Sequence, residues 1–182
     1  MKHNDSSQIR DLLERLSRLH ASEDWSGDIN PSQRAALAYL ARANRFSRAP
    51  SQVAQYLGAT RGTVSQTLKA LARKELIEEV RSQSDKRSIS YDVTKAGFAT
   101  LDFSTAIDAA LADMNIGDRQ QLTKSLGSLL TGLLQKRGDR SFGICSTCRH
   151  NIKSDTGTWC GLLELSLTPV DTKQICHEHN GG

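Results

Sequence analysis

The residues best suited to chemistry sit near one end of the chain. Cys145, Cys148, Cys160 and Cys176 are the only cysteines in 182 residues, spaced C-x2-C-x11-C-x15-C, with His150, His177 and His179 beside them. A cysteine cluster in a chain without a secretion signal points to metal or redox chemistry rather than to a disulfide framework. Zinc takes four thiolates, or three thiolates and an imidazole, and Cys176-x2-His179 offers a second knuckle with His179 as an alternative ligand. An iron–sulfur cluster also takes four thiolates. Free, redox-switching thiols are the third possibility, and residue type and spacing do not choose among the three. The predicted metal ligands are therefore Cys145, Cys148, Cys160 and Cys176, holding an iron–sulfur cluster or Zn2+. Trp159, Leu162, Leu163, Leu165 and Leu167 would shield such a centre. Residues 141–182 are too few to build a core alone, so this Cys-rich module is expected to fold around its metal. Cys176 and His177 are adjacent, but no orienting third group accompanies them, so no enzyme is expected.

A second set of residues is marked by charge. The formal net charge is +4, yet residues 31–99 alone carry +7, while the segments on either side are slightly acidic. Such clustering is the footprint of a module that binds a polyanion. Within it, the stretch Thr60–Leu71 puts Val64, Leu68 and Leu71 on one helical face, and the helix presents Gly62, Gln66, Lys69 and Arg73 on the other. A polar loop follows at Ser82–Ser88, carrying Asp85, Lys86 and Arg87.

The elements that must position these residues follow from periodicity. Ile9, Leu12, Leu13, Leu16 and Leu19 mark one apolar face of a helix over residues 6–21. Ser22–Asn30, with Trp25 and Gly27, reads as a loop. Asn30-Pro31 starts a second helix, with asparagine as cap and proline at the first turn. Ser51 is placed to cap a short helix over Gln52–Leu57. Gly58 stops it, and Thr60 caps the next. Ile77–Arg81 and Ile89–Val93 alternate as strands of a hairpin. Thr94 then caps a long helix bearing Phe98, Leu101, Ile107, Leu111 and Met114. Asp118 and Gln121 form a candidate capping box for the leucine-rich helix that follows. With 37% hydrophobic and only 5% aromatic residues, the core must be aliphatic and largely helical. No apolar run approaches the ~18–20 residues a membrane span needs. The polar start, Met1–Arg10, lacks the apolar stretch of a signal peptide, so the expected location is cytoplasmic.

This order of elements resembles the MarR family of winged helix-turn-helix transcription regulators. The resemblance rests on Asn30-Pro31-Ser32-Gln33…Leu37…Leu40, on Thr60–Leu71, and on Asp85-Lys86-Arg87-Ser88, the family's Asp-x-Arg-Ser wing pattern, and covers roughly residues 6–137. It implies a mainly α fold with a small β-hairpin wing. Residues 1–30 would be an N-terminal dimerisation helix and loop, 31–99 the DNA-binding domain, and 100–140 further dimerisation helices. It also implies a homodimer on a pseudo-palindromic duplex operator, and a repressor whose DNA affinity responds to a small-molecule effector, to redox state or to a metal centre. On DNA, Thr63, Ser65, Gln66 and Thr67 would reach base edges or nearby phosphates, and Arg61, Lys69 and Arg73 phosphates. The wing would bring Lys86 and Arg87 to the duplex, with Arg87 entering the minor groove and Asp85 orienting it. Members of the family ordinarily end near the position of Gly138, so the cysteine tail departs from the pattern. Its spacing is similar to that of high-potential iron–sulfur proteins. The competing functional reading is a protein-interaction module, with a winged-helix scaffold and a purely structural metal-stapled tail.

Overall fold

Asn30 sets the entry to the central domain. Its side-chain oxygen accepts from the Gln33 N–H at 2.9 Å, and the Gln33 side chain accepts from the Asn30 N–H, closing a capping box at the start of α2 (Pro31–Arg42). The computed structural model describes residues 5–23, 28–81, 89–102, 104–155 and 157–181. Trp25 and Gly27 of the expected loop, and the wing-tip residues Asp85, Lys86, Arg87 and Ser88, therefore lie outside the described residues.

After α2 come α3 (Pro50–Leu57) and α4 (Arg61–Arg73). Ser51 does not cap α3. The helix starts two residues earlier, at Pro50, and the Gln52 side chain accepts from the Ala49 N–H at 2.8 Å. Proline has no N–H to satisfy there, so a capping serine is not required. Gly58, at φ 61°, supplies the left-handed stop, and the Thr60 hydroxyl accepts from the Thr63 N–H at the head of α4. Leu37, Tyr39 and Leu40 of α2, Val53 of α3, and Val64, Leu68 and Leu71 of α4 close a common core. Strands β1 (Ile77–Arg81) and β2 (Ile89–Val93) pair antiparallel, from Ile77 opposite Val93 to Arg81 opposite Ile89.

Thr94 caps the next helix, as expected, but that helix is short. It breaks into α5 (Lys95–Leu101) and α6 (Ala106–Asp113), because Thr105 and Asp108 form a capping box of their own. The following helix, α7 (Ile116–Arg137), is capped by Asn115, which accepts from the Asp118 N–H, and not by an Asp118–Gln121 box. At the other end of the chain, α1 (Asp5–Glu23) runs two residues beyond the expected end. Helices α1, α6 and α7 bury none of their described residues. Leu12, Leu16 and Leu19 of α1 and Leu129, Leu130 and Leu133 of α7 are each about half exposed.

The tail is built from small pieces. Strand β3 (Gly143–Ile144) leads into a 3-10 turn at Cys145–Thr147. Strands β4 (Asn151–Ser154), β5 (Gly157–Cys160) and β6 (Leu165–Leu167) form a meander. Helix α8 (Pro169–Lys173) precedes β7 (Ile175–Cys176), which pairs back with β3. The tail is docked on the central domain. Ile175 belongs to the core of that domain, its carbonyl accepts from the Asn44 N–H at 2.9 Å, and the Phe142 ring meets Tyr39 and Tyr56 edge-on.

One close approach ties the wing to the helices. A Cβ on Gly97 would collide with the Leu76 carbonyl oxygen and come within 2.8 Å of Val93 Cγ1. Gly97→Ala should therefore destabilise the fold by about 1–3 kcal/mol, read as a lowered midpoint in urea unfolding. An unchanged midpoint would mean that α5 moves away from the hairpin without cost.

Candidate nucleic-acid interface and thiol cluster

Folding consumes many of the central cations. Arg48 pairs with Asp92 at 2.6 Å, Arg45 reaches Asp171 and the Ser166 carbonyl, and Arg81 pairs with Glu79. Arg42 donates to the Ala38 carbonyl, Arg34 is buried and donates to the Thr100 carbonyl, and Lys74 reaches the Asp28 carbonyl. Arg61, Lys69 and Arg73 are exposed along α4, with no ion pair or hydrogen bond to another described side chain. Among the described residues of the central segment, four cations have no such partner, and three of them lie along one helix, the fourth being Lys95.

Gln66 is exposed on that face between Arg61 and Lys69. Ser65 and Thr67 are half-buried, and the Thr67 hydroxyl donates to the Thr63 carbonyl at 3.0 Å. Thr63 shares the capping contact with Thr60. Thr63 and Thr67 also line a cleft of about 600 Å³ that runs beneath α1, where Ser17 and His20 face Arg42, Tyr56 and Asp108. Of the residues expected to read bases, Thr63 and Gln66 are exposed, and Thr63 is engaged by Thr60. Lys86 and Arg87 lie outside the described residues.

The four cysteines gather in a second, smaller core. Cys145, Cys160 and Cys176 are buried with Leu167, flanked by Phe46, Leu163 and Leu165, while Cys148 is half-buried at the rim. Trp159 and Leu162 are exposed instead of shielding the cluster. All four thiols are free. Every sulfur faces an N–H. Asn151 Nδ2 donates to Cys145 at 3.5 Å, the Asn180 amide to Cys148 at 3.4 Å and the Leu163 amide to Cys160 at 3.5 Å, and the Glu178 backbone faces Cys176. Burial raises the pKa of the Cys145 and Cys176 thiols, opposed by those same donors. As the side chains stand, no three His, Cys, Asp or Glu residues among those described are arranged to hold a metal ion.

Two of the three nearby histidines, His177 and His179, have ring contacts elsewhere. His177 places Nδ1 3.2 Å from the Ser47 hydroxyl and Nε2 3.0 Å from Gln52 Nε2, and burial lowers its pKa. His179 sets Nε2 2.9 Å from the Thr147 hydroxyl, and its ring lies over Gly143, where a Cβ would meet it at 2.5 Å. The Nε2 of His179 is thus engaged within the tail. The His150 carbonyl accepts from the Gly161 amide.

The residue pattern gives no sign of the groups that join this cluster to α3. Asn44 and Ser47 are fully buried at the turn after α2. Ser47 donates to Asn44 Oδ1 at 2.7 Å, accepts from the His177 N–H at 2.9 Å, and its carbonyl accepts from the Tyr39 hydroxyl at 2.6 Å. Two short polar residues in a loop carry no periodic signal, so they read as a simple break.

Helix order, the capped α4 and the hairpin behind it are shared with known proteins. Residues 27–88 match the model of the MarR family. The Staphylococcus aureus MepR–DNA complex is 21% identical, covers 72% of this chain and 99% of its own, and superposes with a TM-score of 0.57. MepR in its DNA-binding conformation gives 22% identity, 71% and 98% coverage and a TM-score of 0.58. The Streptococcus pneumoniae FabT–DNA complex gives 22% identity, 71% and 95% coverage and a TM-score of 0.56. The fold is the MarR-type winged helix. No curated protein sequence matches the chain. No helix among the described residues is long and apolar enough to cross a membrane.

If the α4 face meets duplex DNA, Gln66→Ala should change the ranking of duplex sequences by about 1–3 kcal/mol at one base position. Arg73→Ala should instead weaken all sequences alike. Both are read by selection from a randomised duplex pool. A uniform loss for Gln66→Ala would place Gln66 on the backbone.

Proposed function

We propose that the chain is a double-stranded-DNA-binding transcription regulator of the MarR type, acting as a homodimer. The observation that carries this reading is the outward face of α4, where Gln66 stands among Arg61, Lys69 and Arg73 while neighbouring cations are tied up inside the fold. Exposed guanidinium and ammonium groups on a helix flanked by a hairpin suit phosphate backbones, and a carboxamide among them suits an adenine edge. Support for the dimer comes from α1 and α7. Their leucine faces are half exposed, an apolar surface that a second copy of the chain would cover. A small-molecule effector would enter the cleft under α1, which touches both that helix and α4.

Fluorescence anisotropy with duplex DNA at several salt concentrations tests the reading. Affinity should fall steeply with salt, with a log–log slope of about −0.9 per phosphate neutralised. Arg87→Ala should weaken binding by about 1–3 kcal/mol and flatten that slope by about one. Binding that is absent or indifferent to salt would turn α4 into a protein-docking face. For the dimer, Leu130→Glu should yield monomers in analytical ultracentrifugation. A variant that remained dimeric would exclude α7 from the interface.

A further inference from the structure

We propose that Cys145, Cys148, Cys160 and Cys176 hold a thiolate-bound metal centre, either zinc or an iron–sulfur cluster, and that its loading is read by the start of α3 through Cys176 and His177. The coupling half of this proposal rests on the DNA-binding reading above; the metal half does not.

Three observations support the site. First, each of the four sulfurs faces an N–H donor, from Asn151, Asn180, Leu163 and the Glu178 backbone. A neutral thiol is a poor acceptor and needs no such donor, whereas metal-bound thiolates are characteristically surrounded by them. Second, the buried Asn44 Nδ2 has no nitrogen or oxygen acceptor, and the Asn44 side chain is set against the Cys176 sulfur. A neutral thiol is a weak acceptor for a buried amide, and a metal-bound thiolate in its place would satisfy that donor fully. Third, the rings of His177 and His179 are engaged by Ser47, Gln52 and Thr147, while the four thiols are free and form a donor set of the kind both centres accept.

The same residues give the route to the winged helix. Cys176 lies against Asn44 and Ser47, and its neighbour His177 contacts both Ser47 and Gln52. Gln52 in turn caps the first turn of α3 and donates to the Phe46 carbonyl. Helix α3 packs on α4, so the turn Asn44–Ala49 is separated from the α4 face by one helix. Gathering four sulfurs onto one centre shifts the segments that carry them, and Cys176 is the one anchored in the winged helix.

The test uses the full chain, purified without oxygen, with zinc, iron and acid-labile sulfide quantified and the visible spectrum recorded. Stoichiometric zinc without colour assigns zinc, and iron with matching sulfide and visible absorption assigns a cluster. Neither metal as purified, nor after reconstitution with Zn2+ or with Fe2+ and sulfide, overturns the site; disulfides in their place would do the same. Cys148→Ser should lose the metal. Because that variant can also misfold, chelation and reloading of the wild-type chain gives the same comparison reversibly. Amide exchange over residues 44–57 should slow about ten-fold or more on loading, and affinity for a duplex selected from a randomised pool should change by about the same factor. His177→Leu should keep the metal and lose both responses. Equal exchange in loaded and stripped protein overturns the coupling. If no duplex binds in either state, the DNA-binding reading fails, while metal content and exchange still decide this one.

Discussion

The turn after α2 places buried polar groups where water cannot reach them, and much of the molecule is arranged to satisfy them. Asn44 and Ser47 are fully buried, and an unpaired polar group in that position costs about 1–3 kcal/mol. The Ser47 hydroxyl binds Asn44 and His177, its carbonyl binds Tyr39, and the Phe46 carbonyl binds Gln52. Burial keeps the Tyr39 hydroxyl protonated far above its ordinary range, which preserves it as a donor. The turn sets the angle between α2 and α3, and hence the presentation of α4. Ile175 and His177, both from the C-terminal tail, are among its partners. An extension beyond the usual winged helix thus takes part in holding the head together.

A helix start is legible in the sequence when the stabilising partner is close in the chain and of a familiar type. Asn30, Thr60 and Thr94 each bind an N–H three residues on, and all three starts stand where their sequence places them. The start of α3 is obscured because its stabilising contact runs backward from Gln52 to Ala49, while Ser51 offers a more familiar cap. The break between α5 and α6 is hidden because the apolar spacing continues across it, and the Thr105–Asp108 cap overrides that spacing. The α4 face is legible, since one helical wheel defines it.

Charge shows a different limit. The +7 of the central segment points to the region proposed to meet DNA, but composition does not distinguish a cation that meets a partner from one that meets its own fold. Arg45 and Arg48 look like Arg61 and Arg73 in sequence. Their acidic partners, Asp171 and Asp92, are far away in the chain, and only folding brings them together. Arg45 clamps α8 through Asp171, the residue that also caps that helix, so a basic residue of the central domain serves to dock the tail.

The tail itself reverses the usual relation between core and function. Its small cluster of buried residues consists of Cys145, Cys160, Cys176 and Leu167, so thiols take the place that hydrocarbon holds in an ordinary core. Trp159 and Leu162, which read as part of a shell, are exposed, and the apolar anchor is Ile175, inserted into the neighbouring core. A segment of this size cannot bury enough hydrocarbon to fold alone. It can be stabilised by docking on the winged helix, by a centre bound to its thiols, or by both. The structure displays the first, and the second is the proposal made above, to which the N–H groups beside the sulfurs lend support. Docking and binding then share one strand, β7, where Ile175 joins the main core and Cys176 the thiols. Anything that repositions the sulfur of Cys176 acts, one residue away, on the contact that holds the tail to the head.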